Sequence, residues 1–139
     1  MKWTLLLLVL TVSCKMPWAE DEFETSDLAG TWECTTLTNS DLTEVVFNNA
    51  GTLIHWYDTD GEDLFEFFEV TTSSFVSSEG DVTIHLTATE MGFPLEVEEV
   101  DMSGPMNESK SQVTLGTTID YYYDGVLDDT DTYTLFLER

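Results

Sequence analysis

The strongest constraint on this chain is the alternation from Val82 to Thr89. Val82, Ile84, Leu86 and Ala88 fall on one face of an extended segment, and Thr83, His85, Thr87 and Thr89 fall on the other. A period of two is that of a strand with one face on a core and one in water, the usual state of an antiparallel sheet. Similar runs recur at spacings of roughly ten residues, separated by turn-forming clusters. The clusters are Asn48 to Gly51, Asp58 to Gly61, Glu79 to Asp81, Met91 to Pro94, and the pair Asp124 and Gly125. Extended segments are predicted over 33–38, 43–47, 52–57, 64–71, 73–78, 82–89, 95–100, 112–115, 117–123 and 133–139. Leu53, His55 and Tyr57 are expected to share a face, Leu95 and Val97 to point inward, and Met102 to Ser111 to form a loop. No stretch supports a helix longer than a turn or two. The expectation is an all-β protein, an antiparallel up-and-down β-barrel of about 8–10 strands with a short N-terminal helical turn.

The first segment reads as a leader outside the fold. Lys2 supplies a positive start and Thr4 to Val12 an apolar run too short to span a bilayer, so export is expected. Two cuts are compatible with the residues. Cleavage after Ala19 makes 1–19 a signal peptide and the product secreted and extracellular. Cleavage before Cys14 makes 1–13 a lipoprotein leader, with Cys14 lipidated and the product anchored in a bacterial envelope. Residues 20–27 then form an acidic N-terminal segment, expected to be loose, and 28–139 the barrel domain. Either cut leaves Cys34 without an internal disulfide partner, two residues beyond Trp32 on the same strand face, as a small buried apolar side chain.

Charge narrows the partners. The chain carries 28 Asp and Glu against four Lys and Arg. Two of the four, Lys2 and Lys15, precede Ala19, so cleavage there leaves only Lys110 and Arg139. A surface this acidic repels phosphate backbones and anionic headgroups, which excludes nucleic acid and limits membrane association to a lipid anchor. Such a surface is most at ease where salt screens its self-repulsion. A monomer is expected.

At the start of the β-rich region stands Phe23-Glu-Thr-Ser-Asp-Leu-Ala-Gly-Thr-Trp32. Asp27 suits the N-cap of one helical turn, Gly30 can take backbone angles closed to other residues, and Trp32 brings a large ring with a single N–H donor. The spacing of Phe23, Gly30 and Trp32 resembles the first-strand G-x-W motif of lipocalins and the wider calycin group. That resemblance implies a barrel plugged at one end, with a late Arg packed across the Trp. Arg139, the sole Arg of the chain, takes that role on the final strand beside Tyr133, Leu135 and Leu137. Thr118, Ile119, Asp120, Tyr121 and Tyr123 echo the T-D-Y motif of the family with an insertion. The C-terminal helix and disulfide of full-length lipocalins have no counterpart, so the resemblance is to a compact, lipocalin-like domain.

Candidate chemistry follows from the same residues. His55 and His85 are not spaced with Cys or each other as metal ligands are, and no nucleophile–base pair or paired acid stands out. The chain is therefore expected to be no enzyme and to need no cofactor. Asp58 to Asp63 resembles part of an EF-hand loop, but with Gly61 at the sixth position Trp56 would fall at the first and Phe67 at the twelfth, where acids are required. No metal site is assigned. The aromatic residues Tyr57, Phe65, Phe67, Phe75, Tyr121 and Tyr123 are expected to line the barrel wall around a small hydrophobic ligand, with Gly30, Trp32 and Arg139 closing the barrel. The alternative is a non-enzymatic acidic interaction or structural protein with a filled core, meeting cationic partners or weakly binding divalent cations at Asp58 to Asp63 and Asp124 to Asp131. Asn107-Glu108-Ser109 is a glycan acceptor only in a eukaryotic host.

Overall fold

A computed structural model describes residues 22–36 and 42–139. The leader, Cys14 and the end of the 33–38 segment lie outside the described residues. A 3-10 turn, Thr25–Leu28, precedes strands β1 (Gly30–Thr36), β2 (Leu42–Phe47) and β3 (Leu53–Asp58). A single helical turn, Leu64–Phe67, leads into β4 (Phe68–Val76), β5 (Asp81–Glu90), β6 (Glu96–Pro105), β7 (Gln112–Tyr123) and β8 (Val126–Glu138).

The eight strands form one sheet in the order β3-β2-β1-β8-β7-β6-β5-β4. Every pairing is antiparallel, and β1 pairs with β8 through Glu33 opposite Glu138 to Thr36 opposite Leu135. Sequence neighbours are thus sheet neighbours all the way round, except at β3 and β4. The result is an up-and-down barrel closed everywhere but along this one seam. Across it the Thr72 hydroxyl donates to the Leu53 carbonyl at 3.2 Å, and the Leu64–Phe67 turn fills the gap.

Alternation sets the core. Val82, Ile84, Leu86 and Ala88 of β5 are all buried, as their period requires, and Trp32, Val45, Phe47, Leu115, Leu135 and Leu137 meet them inside. Cys34 belongs to this core at 8 % exposure. Burial, and behind it the nearby Glu44 charge, push its thiol up to about 12, so it stays protonated and inert.

Several local expectations are corrected. The 64–71 segment is not extended throughout: Asp63 caps a helical turn by accepting from the Phe65 N–H at 3.1 Å, and the strand begins at Phe68 and runs unbroken to Val76. Met102 to Pro105 is the end of β6, not loop. Gly104 reads as a turn signal, but it serves close approach: a Cβ there would sit 1.8 Å from the Thr114 carbonyl oxygen across the ladder. The inward set of β6 is Glu98, Val100 and Met102, so Val97 falls on the other face, and Leu95 lies exposed ahead of the strand. Val126 to Thr132 also pairs with β7, because Asp124 and Gly125 take φ of 49° and 76° and make the two-residue hairpin turn that lets the ladder restart at once. The described part of the acidic segment is fastened down: the Phe23 N–H donates to the Ser78 carbonyl, and the Val76 N–H donates to the Thr25 hydroxyl.

Candidate ligand site

The two ends of the barrel are built differently. At one end the Thr25–Leu28 turn lies across the opening, with Glu24 as its N-cap; Asp27, expected in that role, instead reaches back from the third position to accept from the Glu24 N–H at 2.8 Å. Leu28 and Trp32 are fully buried, and the Trp32 indole donates to the Leu28 carbonyl at 2.7 Å. The Arg139 guanidinium stacks over the Trp32 ring, its carbon 4.1 Å from the centroid. Its Nη1 donates to Ala29 O at 2.7 Å, its Nη2 to Asp27 O at 2.8 Å and its Nε to Lys110 O at 3.0 Å. Gly30, at φ 114°, brings the chain past this group into β1. Lys110 pairs with Asp27 at 2.9 Å and lies over the Phe23 ring at 5.4 Å. This end is therefore a plug of buried rings and satisfied carbonyls.

The other end holds a chamber of about 400 Å³, within the range of small-molecule sites. Trp56 and Val100 are its most buried walls, joined by Leu42, Phe68, Ile119 and Tyr133. Leu64 and Phe67 come from the helical turn at the seam, and Asp58, Glu62 and Glu98 stand among them as the acidic members. A second recess shares Glu98 and is lined by Glu96, Tyr121, Tyr123, Asp128, Asp129 and Asp131 at the tip of the β6, β7 and β8 strands.

Electrostatics single out Glu98. Burial first, then the neighbouring Glu90 and Glu96 charges, raise its carboxyl above the ordinary range. Tyr121 and Tyr133 beside it are pushed up to about 12, chiefly by burial, with Glu98 contributing to both. Lys110 and Arg139, the basic side chains of the described residues, are both held at the plugged end.

The expected wall residues are thus distributed. Phe67 lines the chamber, though 49 % exposed, and Tyr121 and Tyr123 line the adjoining recess. Tyr57 and Phe65 instead flank His55, with ring centroids 5.7 Å and 6.4 Å away, and neither contributes to the chamber lining. Phe75 sits on the outer face of β4 at 61 % exposure, because Phe68, Val70, Thr72, Ser74 and Val76 take the inward positions. The expected sharing of a face by Leu53 and His55 fails for a definite reason. A register shift between Val46 and Phe47 leaves Ile54 unpaired in β3, so Leu53 and Trp56 both point in and His55 points out. There the His55 Nδ1 meets Asp63 Oδ2 at 2.6 Å, while Asp63 Oδ1 accepts from the Trp56 and Phe65 N–H groups. His85, opposite Asp101 on the outer face, meets it at 2.6 Å.

Among the site residues that alternation missed, Trp56 is displaced by the irregularity in β3, while Glu98 lies in a regular stretch of β6 where Leu95 and Val97 pointed to the opposite face. Tyr133 was legible, since it shares the inward face with Leu135 and Leu137. Among the described residues, no group of three or more His, Cys, Asp or Glu is arranged to hold a metal ion.

Fold and site together define an all-antiparallel, eight-stranded, nearly closed barrel, compatible with a calycin-like fold, plugged at one end and hollow at the other. Compared with protein-family models, with curated proteins and with solved structures, the chain has no match.

Proposed function

We propose that this protein is a lipocalin-like carrier, exported and non-enzymatic, that holds one small ligand with an apolar body in the chamber at its open end. The observation that carries the reading is the chamber itself: about 400 Å³ walled by Trp56, Phe68, Val100 and Ile119, inside a barrel whose other end is shut by Trp32 and Arg139. Burying an apolar body against these walls is favourable by about 25 cal/mol per Å² removed from water, and a preformed chamber adds little ordering cost. His55 and His85 are read as structural, the first clamping the helical turn through Asp63 and the second bridging β5 and β6 through Asp101. Export by the leader, with release after Ala19 or anchoring at Cys14, belongs to the same proposal.

The test is a titration with N-phenyl-1-naphthylamine, which is uncharged at neutral pH. The expected result is saturable binding at one site, weakened severalfold by Phe67→Ala and abolished by Val100→Trp, which fills the chamber. Binding that Val100→Trp leaves intact in a folded protein, or no saturable binding at all, overturns the carrier reading.

A further inference from the structure

We infer that the ligand of this chamber is an amphiphilic cation, an amine or similar positively charged head on an apolar body, with the head held at Glu98. The inference rests on the carrier reading above and adds the chemistry of the head group.

Three observations carry it. First, Glu98 is on the inward face of β6, one inward position from the buried Val100, so its carboxylate stands at the boundary between apolar chamber and acidic recess. Second, every charged side chain lining either space is an acid: Asp58 and Glu62 in the chamber with Glu98, and Glu96, Asp128, Asp129 and Asp131 in the recess. Third, Lys110 and Arg139 are engaged at the far end with Asp27 and with backbone carbonyls, so they do not neutralise the mouth.

A carboxylate that is partly desolvated and ringed by like charges is held at an energetic disadvantage. A cation that arrives on an apolar body relieves it, because the ion pair forms where water is already partly excluded. The field of the surrounding acids raises the local concentration of cations at this end and lowers that of anions. The phenols of Tyr121 and Tyr133, both near Glu98, give the head group oxygen acceptors besides the carboxylate. An anionic amphiphile such as a fatty acid meets the reverse of each term and is selected against.

The experiment compares three ligands of one chain length, octylamine, 1-octanol and octanoate, by calorimetric titration of the full chain near neutral pH. Octylamine is expected to bind at least about tenfold more tightly than 1-octanol, and octanoate to bind more weakly than both. Glu98→Gln is expected to remove the preference for octylamine over 1-octanol, with circular dichroism confirming the fold. Equal binding of amine and alcohol to the parent chain overturns the head-group assignment and leaves the carrier reading standing. Absence of binding by all three overturns both. An amine preference that survives Glu98→Gln removes Glu98 from the assignment.

Discussion

The Arg139 guanidinium lies over the Trp32 indole, its carbon 4.1 Å from the ring centroid, and donates its N–H groups to carbonyls of Asp27, Ala29 and Lys110. One side chain thereby ties β8, the β6 to β7 turn and the Thr25–Leu28 turn to the indole that fills the barrel end. A planar fork can do this, and an ammonium cannot. Arg139→Ala is expected to lower stability by about 2–3 kcal/mol, and Arg139→Lys to recover less than half of that loss. Urea unfolding followed by tryptophan fluorescence measures both.

Asp63 makes a second knot, at the seam. Burial alone would raise its carboxyl, but the hydrogen bonds from His55, Trp56 N–H and Phe65 N–H and the attraction of His55 outweigh that, and the net shift is downward from 3.8. A depressed folded-state value means stability that is complete above the unfolded value and lost as pH falls through the folded one. The stability gap between the parent chain and Asp63→Asn is therefore expected to hold steady at neutral pH and to narrow below about pH 4. A gap that stays constant down to pH 2 contradicts this account.

Ser74 points inward from β4, and its buried hydroxyl has no hydrogen-bond partner. Removing an unpaired buried hydroxyl abolishes a desolvation cost. Ser74→Ala is expected to raise the unfolding midpoint, by about 1 kcal/mol of stability. A drop of similar size in thermal unfolding would show that the hydroxyl is doing something the interior does not reveal.

Cys34 offers a chemical readout of closure. With its thiol pushed up to about 12 and only 8 % exposed, it is expected to resist iodoacetamide in the folded chain at pH 8. Peptide mapping after alkylation should find it modified only once denaturant opens the barrel. Rapid labelling of Cys34 in the native protein would place the β1 and β8 closure in doubt.

Much of this architecture was legible from local pattern. Val82 to Ala88 alternate without a fault and are buried without exception, and Gly30, Trp32 and Arg139 lie where their shapes suit a plugged end. What escaped is what breaks a period of two. A single unpaired residue, Ile54, reverses the faces of everything after it in β3, so Trp56 replaces His55 inside. Gly104 is chemically the same whether it makes a turn or admits a neighbouring backbone, and that choice decides where β6 ends. The helical turn at Leu64–Phe67 was hidden by three phenylalanines that favour strands in isolation, while the cap that decides it is one aspartate. Pattern finds the wall of the barrel; the cavity is made at its irregularities.

The absent ladder between β3 and β4 gives the wall a hinge line. A cylinder stitched all the way round must break backbone bonds to widen, whereas this one can splay along β3 and β4 by releasing the Thr72 hydroxyl and the Asp63 clamp. On the carrier reading proposed above, guests of unequal girth are accommodated by elastic parting of two strand edges, with the remaining ladders intact.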